Sequence, residues 1–145
     1  MPNADTEGRV LLGMIEEFVK QNPERAKAFK SLGQLRYLSC LKHVDAVVGN
    51  SSSGLAEAPI FQIGTVNIGD RQRGRLKAAS VIDCAPERVT ISGALEQLFS
   101  DDFKTNLPRV RNPHGNGGAS EAIVKALGMI AFDDLLKKCF YDLPA

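Results

Sequence analysis

The run Val47-Val48-Gly49-Asn50-Ser51-Ser52-Ser53-Gly54-Leu55-Ala56-Glu57 constrains this 145-residue chain more than any other stretch. A short apolar strand passes there into a helix through a small, hydroxyl-rich loop flanked by glycines. A helix entered in this way aims free backbone amides and serine hydroxyls at one point, an arrangement suited to phosphate. Glu57, one turn further on, cannot hold that phosphate, but its carboxylate can accept two hydrogen bonds from a ribose diol. Phosphate at the loop and a diol at the carboxylate together point to a nucleotide. The lysine and the G-x-x-x-x-G-K-[ST] spacing of a P-loop are missing, so the loop is of another type.

A second run, Thr65-Val66-Asn67-Ile68-Gly69-Asp70-Arg71-Gln72-Arg73-Gly74-Arg75, is a strand ending in a loop with three arginines. Arginine makes fixed, permanently charged, bidentate contacts to phosphate oxygens. If the two strands are neighbours in a parallel sheet, both loops open at one edge. Asn67 and Asp70 are read as polar residues that brace this loop.

Hydrophobic periodicity organises the rest. It predicts helices over 7–21, over 34–43 with Leu35, Leu38 and Leu41 buried, over 118–130 and over 133–140. Strands are predicted over 45–49, 65–68 and 80–84, with a short one over 28–32. After residue 84 two readings stay open. Pro86-Glu87 can start a helix, whereas Val89-Thr90-Ile91 prefers strand and would leave Ser92 as the cap; either way a helix reaches Phe99. Strands alternating with helices imply an α/β fold, a Rossmann-like parallel sheet with helices on both faces. Ligands of such sheets sit at the C-terminal ends of the strands, where both loops lie.

Length and composition fit one domain, 1–145, with a single core. A net charge of +1 gives no reason to expect nucleic acid or a membrane surface as partner. No apolar run approaches the roughly 20 residues of a membrane helix, and the N-terminus has neither a basic head nor an apolar signal core. The chain therefore reads as cytoplasmic. Cys40, Cys84 and Cys139 match no zinc spacing and no disulfide framework; Cys40 and Cys84 are expected to be buried thiols. His43 and His114 have no partner at catalytic or metal spacing in the sequence.

The pairing of Gly49-Asn50-Ser51-Ser52-Ser53-Gly54 with Val66-Asn67-Ile68-Gly69-Asp70-Arg71-Gln72 and Gly74-Arg75 resembles the hydrolysing UDP-N-acetylglucosamine 2-epimerases. Their relatives acting on UDP-diacetamidobacillosamine share it. Pro2-Asn3-Ala4-Asp5, Asn112-Pro113-His114-Gly115-Asn116-Gly117 and Phe140-Tyr141-Asp142 extend the likeness through nearly the whole chain. The resemblance implies the C-terminal domain of a two-domain, GT-B-like enzyme. The N-terminal domain, with its catalytic carboxylates and histidine, is expected to be absent from residues 1–145, so no catalytic residue is assigned here.

For the binding residues, the resemblance implies that Ser51, Ser52, an amide from Gly54 and Arg71 hold the diphosphate of UDP. It gives Glu57 the ribose and backbone groups near Leu32-Gly33-Gln34 the uracil. It sets Asn3 near the nucleotide, with Asp5 and Arg75 as further candidates. The implied reaction eliminates UDP across C1–C2 of a UDP-N-acetylhexosamine and adds water with inversion at C2. The product is an N-acetylmannosamine-type sugar for sialic or nonulosonic acid synthesis. No cofactor and no metal are implied, because the C2 proton is exchanged without net redox change. An apolar surface left by a missing neighbouring domain would favour pairing, so a homo-oligomer is compatible with the sequence. Three alternatives stay open: a non-hydrolysing 2-epimerase, the donor-nucleotide domain of a GT-B glycosyltransferase, and a non-catalytic nucleotide-binding or oligomerisation module.

Overall fold

The computed structural model describes residues 6–115 and 117–130. It divides into two compact units, Met1–Pro113 and His114–Ala145. The first unit is built on a three-stranded parallel sheet in the order β1-β2-β3, with β1 at Ala46–Gly49, β2 at Gly64–Ile68 and β3 at Val81–Cys84. The register sets Gly49 beside Asn67 and Asn67 beside Asp83, so the three strands end at one edge. All three lie within two residues of the sequence expectation.

Side chains alternate across a strand, and β2 uses both of its faces. Gly64, Val66 and Ile68 point toward α4 (Arg88–Phe99), where Val66, Ala94 and Leu98 form the core, with Ile82, Cys84 and Phe103 packed around it. Thr65 and Asn67 point to the other face, where the Thr65 hydroxyl donates to Gly54 O at 2.8 Å from the short helix α3 (Ser53–Ala56). Helices thus cover both faces, as the α/β reading requires. Gly64 makes one contact close: a Cβ there would lie 2.8 Å from Phe103 Cε1 and 3.1 Å from Leu98 Cδ1.

After β3 the open segment turns helical at Arg88, so Val89, Thr90 and Ile91 lie in the first turn of α4 and not in a strand. Glu87 is extended at the N-cap, and Thr90 Oγ1 donates to Ala85 O and Glu87 O, which draws the turn together. Ser92 is interior and caps nothing. Ser100 breaks the chain direction and accepts from Phe103 N at 3.3 Å, starting α5 (Asp101–Asn106) with two acids in its first turn. Hydrophobic periodicity assigns this stretch no element.

Upstream, the periodic run over 7–21 forms helix α1 (Thr6–Gln21), but Val10, Leu11, Met14 and Phe18 on its apolar stripe remain exposed. The strand expected over 28–32 is absent; the segment runs without ladder pairing into α2 (Gly33–Leu41). Two burial expectations fail on α2. Leu41 is buried, yet Leu35 is 81% exposed and Cys40 is exposed. The inward stripe runs through Tyr37, Leu38 and Leu41, and at about 100° per residue Leu35 and Cys40 fall outside it. Cys84 is half-buried, close to expectation.

The second unit contains α6 (Ala119–Met129), one residue shorter at each end than predicted. The helix expected over 133–140, the third cysteine and the first-residue candidates Asn3 and Asp5 lie outside the described residues. No described helix is long and apolar enough to cross a membrane.

Candidate functional site

The serine loop leaves β1 at Gly49 and enters α3, which is a single turn long. A helix this short contributes little dipole, so any anion affinity here rests on local amides and hydroxyls. Ser51 Oγ accepts from Ser53 N at 3.3 Å and Ser51 O accepts from Gly54 N at 3.2 Å, folding the loop into a compact turn. Ser51 and Ser52 are exposed, and Ser53 turns back to share a hydrogen bond with the Tyr37 hydroxyl on α2. Gly54 is buried against the sheet: a Cβ there would sit 2.6 Å from Thr65 Cγ2.

Because β1 and β2 are parallel neighbours, the arginine loop opens beside the serine loop. Gln72, only 3% exposed, ties them together through Nε2 donated to Asn50 O at 2.7 Å. Arg71, Arg73 and Arg75 project into solvent on either side of that anchor. The far end of the loop is fixed by a second device. Lys77 Nζ bonds both oxygens of Asp83 at 2.7 and 2.8 Å, and buried Asn67 donates to Asp83 Oδ1 at 2.6 Å. Asn67 thus braces the loop, as its place at the strand end suggested, while Asp70 closes a turn by accepting from Arg73 N. Burial raises the Asp83 carboxyl, but the hydrogen bonds from Lys77 and Asn67 and the lysine charge outweigh it and hold the group below its ordinary value. Burial, and then the Asp83 charge, push the neighbouring Cys84 thiol up.

Glu57 follows α3 and faces a different part of the molecule. With Phe29, Lys30, Ser31, Leu32, Gly33, Gln34 and Tyr37 it lines a cavity of about 540 Å³, within the range of small-ligand sites. Its carboxylate makes no hydrogen bond or ion pair among the described residues. Part of the irregular 28–32 segment and the start of α2 therefore line the cavity together with a single carboxylate. Ser51, Ser52, Gly54 and Arg71 do not line this cavity. They lie at the adjoining sheet edge, joined to it by the Tyr37–Ser53 hydrogen bond.

Of the residues the sequence singles out, Ser51, Ser52 and Arg71 stand exposed on the two loops at one sheet edge, Glu57 lies in the adjoining cavity, and the Gly54 amide expected at the diphosphate is buried and donates to Ser51 O at 3.2 Å. Two residues received no role in that reading. Tyr37 bridges the cavity wall to the serine loop, and Gln72 bridges the two loops. The signal for Gln72 was present in the motif itself, a long amide beside an arginine in a loop facing another loop's carbonyls.

Comparison with known proteins bears on the family. The sequence model described as UDP-N-acetylglucosamine 2-epimerase matches residues 1–128. A GDP/UDP-N,N'-diacetylbacillosamine 2-epimerase (hydrolyzing) of Campylobacter jejuni is 40% identical over 142 residues, covering 97% of this chain and 36% of the relative. Polysialic acid biosynthesis protein P7 of Escherichia coli is 32% identical over 98% of the chain and 36% of its own length. A UDP-N,N'-diacetylbacillosamine 2-epimerase (hydrolyzing) of Legionella pneumophila is 32% identical over 95% of the chain and 35% of its own. The chain thus spans about a third of the length of these relatives. With one family matching nearly from end to end and its double-loop motif standing at one sheet edge, the chain belongs to the UDP-N-acetylglucosamine 2-epimerase family.

Proposed function

We propose that this chain is the UDP-binding half of a hydrolysing UDP-N-acetylhexosamine 2-epimerase, the C-terminal part of a GT-B-like enzyme. One observation carries the reading: Glu57, without a protein partner among the described residues, shares its cavity with Leu32, Gly33 and Gln34. A free carboxylate in such a cavity suits a nucleoside, with the diol on Glu57 and the base edge on backbone groups of that segment. Tyr37 and Ser53 connect that cavity to the serine loop, where a diphosphate extending from the nucleoside meets Ser51, Ser52 and Arg71. Gly54 shapes the turn, Arg75 adds charge at the edge, and Asn3 with Asp5 complete the nucleotide contacts.

In the full reaction this half acts on the leaving group. Elimination across C1–C2 breaks the C1–O bond, and the electron pair stays on the diphosphate. Hydroxyls of Ser51 and Ser52 and the Arg71 guanidinium meet charge that grows as this bond breaks, so they stabilise the transition state more than the ground state. A base also has to take the C2 proton, and none of the described residues of the two loops is assigned that role. The chemistry of proton transfer is assigned to the family's other domain. Water adds to the glycal-like intermediate with inversion at C2, giving an N-acetylmannosamine-type sugar for sialic or nonulosonic acid synthesis.

Calorimetric titration of residues 1–145 with UDP, and with ADP and CMP as controls, tests the reading. Saturable binding selective for UDP is expected. Glu57→Gln should weaken it roughly tenfold or more, as expected for charge-assisted hydrogen bonds, with the unfolding midpoint unchanged. Equal affinity of the wild-type and Glu57→Gln proteins would remove the ribose assignment, and release of free sugar from UDP-N-acetylglucosamine by this chain alone would remove the division of labour.

A further inference from the structure

We propose that Gln72 is the positioning residue that sets Arg71 against the serine loop, an inference that rests on the nucleotide reading above. The observation is a buried polar side chain used at one end only. Gln72 is 3% exposed; its Nε2 donates to Asn50 O at 2.7 Å, while Oε1 has no partner among the described residues. Burying an amide with one end unsatisfied costs stability that an apolar side chain of the same shape would not. What glutamine adds at this position is the bond to Asn50, and that bond joins the two loops.

The consequence falls on the next residue. Between Ile68 at the end of β2 and Ala78 the loop makes two side-chain attachments to the rest of the unit, Gln72 to Asn50 near one end and Lys77 to Asp83 near the other. Arg71 lies exposed on the strand side of the Gln72 attachment and has no ion pair of its own among the described residues. Asn50 directly precedes Ser51, so the same bond fixes the start of the serine loop and the position of the arginine. An arginine left on an untethered loop would lose the pre-ordering that makes a bidentate phosphate contact favourable. Gln72 touches no nucleotide in this arrangement and acts through Arg71.

The test compares UDP with uridine, because only UDP carries the diphosphate. Gln72→Met keeps size without the donor, and Gln72→Glu keeps shape while turning an acceptor toward the Asn50 carbonyl. Both variants should bind UDP roughly tenfold more weakly and uridine as the wild type does. In an Arg71→Ala background the Gln72→Met change should cost less than about twofold, since its effect passes through the arginine. Trypsin, which cuts after Arg71, Arg73 and Arg75, should open this loop faster in both variants.

Full UDP affinity in Gln72→Met, alongside a loss in Arg71→Ala, would overturn the proposal and leave the nucleotide reading standing. Equal loss of uridine and UDP, or additivity with Arg71→Ala, would reduce Gln72 to a structural residue and overturn it as well. Absence of UDP binding in the wild-type chain would remove the nucleotide reading and the proposal with it, whatever trypsin shows.

Discussion

Gly54→Ala is a sharp test of how the serine loop is held on the sheet. A Cβ built on Gly54 falls 2.6 Å from Thr65 Cγ2 and 3.4 Å from Thr65 Oγ1. The favourable carbon–carbon separation is about 3.5–4.0 Å, so roughly 1 Å has to be made. Thr65 is 2% exposed, its β-branched side chain is stiff, and its hydroxyl donates to Gly54 O at 2.8 Å. Rotating it away breaks that bond. Overpacking of this kind costs about 1–3 kcal/mol, and losing the hydrogen bond adds about 1 kcal/mol. Alanine's higher helix propensity returns at most about 1 kcal/mol, and less in a single turn. The expected net loss is about 1–3 kcal/mol, read from urea denaturation followed by circular dichroism. Thr65→Ser removes the clashing methyl and keeps the hydroxyl; on its own it costs about 1 kcal/mol for the buried group. Combined with Gly54→Ala it should recover most of the loss, giving a coupling energy of about 1 kcal/mol or more. A Gly54→Ala protein as stable as the wild type, or a strictly additive double variant, would refute the claim that this contact seats the loop.

Three further outcomes are expected. Gly64→Ala sets a methyl 2.8 Å from Phe103 Cε1 and should cost about 1–3 kcal/mol, and Phe103→Leu in the same protein should restore part of it in the same urea assay. The Asp83 carboxyl titrates below its unfolded value, so its contribution is full above the unfolded value and is lost as pH falls through the folded one. The pair is half-exposed, so the contribution stays under about 1 kcal/mol, and Lys77→Met should flatten this acid limb in denaturation curves recorded between about pH 5 and pH 2. Cys40 is exposed whereas Cys84 is half-buried with its thiol pushed up, so peptide mapping after brief labelling at about pH 8 should find Cys40 modified well before Cys84.

The architecture was legible because β1, β2 and β3 are short apolar runs, each ended by glycine or by a turn, and such runs read the same in any parallel sheet. What periodicity cannot see is the other side of a contact. The apolar stripe of α1 predicts the helix and says nothing of what covers Val10 or Phe18, which are exposed here. Leu35 and Cys40 share α2 with Leu41, yet only the stripe through Leu41 meets the sheet unit, and sequence alone does not select among rotations of so short a helix. The 28–32 segment fails for a related reason. Its residues suit a strand by composition, but a strand needs a partner ladder, and these residues line the cavity instead.

The site was legible to the extent that its chemistry is carried by side chains with few alternative uses. Three consecutive serines after a strand, and three arginines after the next, stand out by charge and donor count, and parallel pairing brings both loops to one edge. Roles carried by the backbone leave a fainter trace. Leu32, Gly33 and Gln34 share a cavity with Glu57, and only the fold reveals that cavity. Tyr37 and Gln72 are fainter still, because their function lies in joining segments 16 and 22 residues apart in the chain. Each is a single hydrogen bond, yet together they make the cavity, the serine loop and the arginine loop into one continuous surface. If that continuity is what holds a nucleoside diphosphate along its whole length, then cutting either bridge should separate the affinity for the nucleoside from the affinity for the diphosphate, with Tyr37→Phe weakening UDP while the cavity's own hold on uridine survives.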